Sequence, residues 1–187
     1  MQLRMKLAAV GAAAALALAA GVPALASSHA AASKSVTGPE VLAGAVHGKA
    51  ALANTTRIPL AWRGLVNTHS VAVLGGGGPK KGQTHSFPSG AGKLTVRVTA
   101  KPTVTQFVNK KTCRFSFTQD IVVKVVGGKS TGAFAGSSGP GAVQVSFAAT
   151  APRFKSGPKK GQCNGNAEPL VRGAVATFLG SFVLTVR

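Results

Sequence analysis

The feature that most constrains this chain is a period of two. From Cys113 to Val125, the residues Cys113, Phe115, Phe117, Ile121, Val123 and Val125 fall on one side, and Arg114, Ser116, Thr118, Asp120 and Lys124 on the other. That alternation belongs to a β-strand with one face buried and one wet. It recurs where Ile58, Leu60 and Trp62 alternate with Pro59, Ala61 and Arg63. Leu94, Val96, Val98 and Ala100 likewise alternate with Lys93, Thr95, Arg97, Thr99 and Lys101. Val143, Val145 and Phe147 repeat the pattern, as do Phe182, Leu184 and Val186. Clusters of turn formers separate the runs, among them Gly127-Gly128 and Asn164-Gly165. Short half-buried strands with regular turns predict an all-β chain folded as a single antiparallel β-barrel or β-sandwich.

Three segments follow from the composition. Residues 1–26 read as a signal peptide: Arg4 and Lys6 precede an uncharged apolar run, Pro23 breaks it, and Ala24-Leu25-Ala26 supplies a small-residue cleavage site. A spanning helix needs about 20 apolar residues, so the run is too short for an anchor. A secreted protein without a transmembrane anchor in its mature form is expected. Residues 27–55 are Ala-rich and read as a flexible N-terminal extension, with Pro39-Glu40 starting a short helix through Val41, Leu42, Ala45 and Val46. Residues 56–187 are the expected antiparallel β domain, with a strand at its C-terminal end.

The chain has two cysteines, Cys113 and Cys163. In an exported chain a pair of this kind predicts a disulfide. Neither lies in a C-x-x-C motif and the four histidines are scattered, so no metal site or other cofactor is expected.

Charge is the strongest compositional anomaly. The chain carries 22 Lys and Arg against three acids; removing Arg4 and Lys6 leaves 20 against three, a net +17. Such a chain attracts polyanions and repels its own kind. The hexapeptide GPKKGQ occurs twice, displaying Lys80-Lys81 and Lys159-Lys160. Related fragments recur at other offsets and in changed order, which excludes a tandem duplication. One basic turn used twice explains the hexapeptide better. The disulfide would gather Lys110, Lys111 and Arg114 with Lys155, Lys159 and Lys160. These six, with Lys80 and Lys81, are the expected anion-binding residues.

Catalytic signatures fail one by one. GGGGPKKGQT lacks the Gly-Lys-Ser/Thr ending of a phosphate loop, and the segment ending Gly128-Lys129-Ser130 has Val123 where the first Gly belongs. Asp120 and Glu168 are the only carboxylates of the β region and read as salt-bridge partners rather than a hydrolytic pair. No nucleophile elbow supports a triad with His69 or His85. No RNA- or DNA-binding motif is present, so no specific nucleic-acid partner is expected. No catalytic residue is assigned.

Residues 125–141, VVGGKSTGAFAGSSGPG, resemble the strand–turn–strand motif of dirigent and allene-oxide-cyclase-like β-barrels through Gly127, Gly128, Gly132, Phe134, Gly136 and Gly139. Lys129-Ser130 is inserted and Ser137 departs from that pattern. The resemblance implies a barrel and carries over no functional residue. The whole chain also resembles the small exported β proteins of high-GC bacteria. Three functions follow: a noncatalytic module binding anionic polymers or surfaces of the cell envelope or surroundings; a barrel holding a small apolar ligand, as a cyclase or isomerase would; or a structural secreted protein. The oligomeric state is left open.

Overall fold

The computed structural model describes residues 35–75 and 78–186. The expected signal peptide lies outside the described residues. The strands are β1 (Val36–His47), β2 (Thr56–Gly64), β3 (His69–Leu74), β4 (Thr84–Ser89), β5 (Gly92–Val98), β6 (Thr103–Asn109), β7 (Arg114–Val125), β8 (Thr131–Gly132), β9 (Pro140–Thr150) and β10 (Leu170–Val186). All pair antiparallel. The order β7-β9-β10-β1-β2-β3-β4-β5 returns to β7 through Val96 opposite Val125 and Val98 opposite Val123. The result is a closed eight-stranded barrel, the form implied by the motif at residues 125–141.

The strands with clean alternation fill it. Ile58, Leu60 and Trp62 of β2, Leu94, Val96 and Val98 of β5, Ile121, Val123 and Val125 of β7, and Phe178, Phe182 and Leu184 of β10 are all buried. Phe134, on the connection between β7 and β9, folds back under the barrel and is fully buried. A short helix, α1 (Lys49–Leu52), covers the other end with Ala51 buried.

Two expectations are corrected. From Val36 the chain is not an extension: β1 pairs with β10 over twelve residues, Val36 opposite Val186 through His47 opposite Val175, and with β2 on its other side. The expected helix after Pro39 is part of that strand. Its period of two was masked because the inward positions are Glu40, Leu42, Gly44 and Val46, while Val41, Ala43 and Ala45 face outward. Gly44 is required there, since a Cβ would run into the Pro59 carbonyl oxygen.

The second correction concerns Phe115 and Phe117, expected in the core. The first half of β7 rises past the barrel rim, with β6 on one side and β9 on the other. Both rings are therefore half-buried on this three-stranded extension and pack on Phe147 at centroid distances of 6.0 and 5.8 Å.

Candidate functional site: the basic end of the barrel

Strand direction assigns every connection to one end. At the upper end are residues 48–55, 75 and 78–83, the excursion from β5 through β6 to β7, and residues 151–169. Ten cations sit in those connections: Lys49, Lys80, Lys81, Lys101, Lys110, Lys111, Arg153, Lys155, Lys159 and Lys160. Glu168 is the one acid among them. At the lower end, connections 65–68, 90–91 and 126–139 hold a single cation, Lys129. All eight residues expected to bind anions lie at the upper end or, for Arg114, on the extension rising from it, and all are exposed.

The two GPKKGQ copies adopt one turn. In the first, the Gln83 N–H donates to the Lys80 carbonyl at 3.1 Å; in the second, the Gln162 N–H donates to the Lys159 carbonyl at 2.9 Å. The third turn residue is left-handed in each, Gly82 at φ 87 and Gly161 at φ 81. That is the requirement of a type II turn, which only glycine meets without strain. Each of these glycines also donates its N–H to a neighbouring backbone carbonyl, Gly82 to Val98 and Gly161 to Phe154. The lysine pair is left on the solvent side.

The copies occupy different corners. Gly78, Pro79, Lys80 and Lys81 line an open notch of about 260 Å³ with Lys101, Pro102 and Gln119. Three lysines thus border one concavity. The second copy is tied to the tip of the β6–β7 hairpin by Cys113–Cys163, with Cα atoms 5.3 Å apart. Arg153 strengthens the tie: its guanidinium donates to the carbonyl oxygens of Gly161 and Lys111. The hairpin tip is set by Asn109, whose Oδ1 accepts from the N–H groups of Lys111 and Thr112 at 3.0 Å each. Gln119 and Cys113 mark the two corners, roughly 20 Å apart along β7 at about 3.3 Å per residue.

Lys101, Gln119 and Arg153 were not singled out from the sequence. Arg153 stands alone in an irregular loop, and its role depends on carbonyls 8 and 42 residues away. Among the described residues Asp120 meets a neutral partner rather than the expected cation: its Oδ1 accepts from Gln144 Nε2 at 2.9 Å.

Among the described residues two titratable groups lie inside the wall, each with a buried polar atom that meets no partner there. Glu40 is completely buried near the lower end; its Oε2 accepts from the Val66 N–H at 2.9 Å and its Oε1 has no partner. Burial pushes its carboxyl up from the ordinary value of 4.5, although backbone N–H groups of Val66 and Leu65 pull the other way. His85, on β4 toward the upper end, has an unpartnered Nε2, and burial pushes its imidazole down from 6.5. Among the described residues no three His, Cys, Asp or Glu side chains come together as a metal site would need. No family model, curated protein or solved structure matches the chain.

Proposed function

We propose that this protein is a noncatalytic binding module whose upper end holds anionic polymers or anionic surfaces, acting outside the cell. The single observation that carries the reading is the asymmetry of charge: ten cations and one acid in the upper connections against one cation in the lower. Like charges held so close cost stability unless counter-ions screen them, and a polyanion that displaces those counter-ions gains affinity by releasing them. The repeated turn supports the reading, because its backbone geometry is met by Gly82 and Gly161 while both lysine pairs stay free. The two corners fit an extended polymer better than a small ion, since their anchors are roughly 20 Å apart along β7.

The alternative of a barrel holding a small apolar ligand has less support. Trp62, Phe134, Phe182, Leu42, Ile58 and Leu60 fill the interior. Two concavities, of about 240 and 260 Å³, open on the outer wall and at the rim.

Titration of the disulfide-bonded chain with polyphosphate at several salt concentrations tests the proposal. The logarithm of the binding constant should fall linearly with the logarithm of salt concentration. Salt-insensitive binding, or none at low salt, would overturn it.

A further inference from the structure

The sheet ends in an edge strand. Among the described residues β6 pairs only with β7, and all of its residues except Asn109 are exposed. Natural edge strands are blunted by charge, proline, shortness or a bulge. The stretch from Thr103 to Asn109, TVTQFVN, has no charge and no proline, and its register with β7 is unbroken. Val104, Phe107 and Val108 stand 52, 61 and 62% exposed, values that leave most of each side chain in water.

The register also says which backbone groups are free. On β7, Cys113 and Val125 bond toward β9, by way of Ala151 and Gly139, whereas Val122 bonds toward the β5–β6 side through Thr99. Even-numbered residues of β7 therefore serve β6, and their partners Thr103, Thr105, Phe107 and Asn109 turn their backbone inward. The N–H and C=O groups of Val104, Gln106 and Val108 point out from the edge, where the described residues supply no backbone partner. Cations stand at both ends of this strand: Lys101 before it, Lys110 and Lys111 after it.

We propose that β6 is a docking edge for an extended segment of another protein, one that adds a strand to the sheet and carries acidic residues at both ends of an uncharged β-prone core. The outward N–H and C=O groups supply main-chain hydrogen bonds, as in other strand additions. The flanking lysines select the acidic ends. A second copy of this chain is a poorer occupant. Its net charge of the same sign opposes the approach, and antiparallel pairing of two β6 strands would set Lys101 of each against Lys110 and Lys111 of the other.

The test uses the disulfide-bonded chain and a labelled peptide of alternating Thr and Val with two Asp residues at each end. Fluorescence anisotropy should show saturable binding, and hydrogen exchange should slow at Val104, Gln106 and Val108. Gln106→Ala keeps the outward N–H and should bind as the parent does. Gln106→Pro removes that N–H without touching a β6–β7 bond, and should bind about tenfold more weakly or not at all. Should Gln106→Pro fail to fold, the exchange pattern of the parent decides. Affinity of Gln106→Pro for polyphosphate should equal the parent's, so failure of this proposal and failure of the polyanion reading are distinct. Four results overturn it: no peptide binding, protection confined to the basic loops, equal binding of a peptide with terminal Lys residues, or a concentration-dependent dimer that Gln106→Pro abolishes. The last would assign the edge to a second copy.

Discussion

The ring of Phe134 lies 4.9 Å from that of Trp62, tilted by 44°, and both side chains are fully buried. One ring comes from a barrel strand and the other from the connection that closes the lower end, so their packing fastens that connection to the core. Replacing a fully buried phenylalanine by alanine costs about 3–5 kcal/mol. Phe134→Ala should lower stability by that order in chemical denaturation. Phe107→Ala, on the exposed edge, should change it by less than about 0.5 kcal/mol.

Charge removal should separate the two ends. Lys159→Ala with Lys160→Ala should lower the salt slope of polyphosphate binding by about two, one for each ammonium group taken away from a phosphate. Lys129→Ala, at the lower end, should leave the slope unchanged. Isothermal titration across salt concentrations measures both, and equal effects would contradict a one-ended site.

The pH dependence has a defined sign. The carboxyl of Glu40 is harder to ionise in the folded chain than in the unfolded one. Its contribution to stability is therefore fully present below the unfolded value of 4.5 and is lost as pH rises through the folded value. Thermal melts taken from about pH 4 upward should show this loss, and Glu40→Gln should remove it. His85 acts oppositely. Its imidazole resists protonation in the fold, so it withdraws stability as pH falls below 6.5. Replacing His85 by Gln should flatten that flank without altering the other.

The disulfide closes a separation of 50 residues, for which chain-entropy estimates give about 4 kcal/mol. Its position on the extension makes a more specific outcome testable. In the Cys113→Ser, Cys163→Ser variant, limited proteolysis should cut first in residues 151–169, where Arg153 becomes the remaining clasp, before the barrel strands are attacked.

Much of the fold was legible in strands whose large apolar residues all face inward, as in β2, β5 and the second half of β7. β3 was not legible because its polarity is reversed. Ser70 and Ala72 turn inward and are buried, while Val71 and Val73 stand outward at 40 and 56% exposure. Small side chains suit that wall because Ser70 Oγ must accept the Trp62 indole N–H, at 2.7 Å. β6 hid for another reason: it buries no face and so has no alternation to read. Barrel closure rests on Val96 meeting Val125, and no residue type announces a pairing between strands so placed. The basic character of the site was plain from counting lysines, and the disulfide brought six cations into one region. The notch with Lys101 and Gln119 could not be read, since it forms where one loop lies against a distant strand.

Val36 sits opposite Val186, and the hydroxyls of Thr37 and Thr185 are hydrogen-bonded at 2.8 Å, so the two outermost strand ends leave the barrel side by side at its lower rim. A molecule seated by its lysine-bearing end would therefore hold both of these ends away from whatever it is seated on. The barrel would then serve as a one-ended peg, with Val36 and Val186 on its free side.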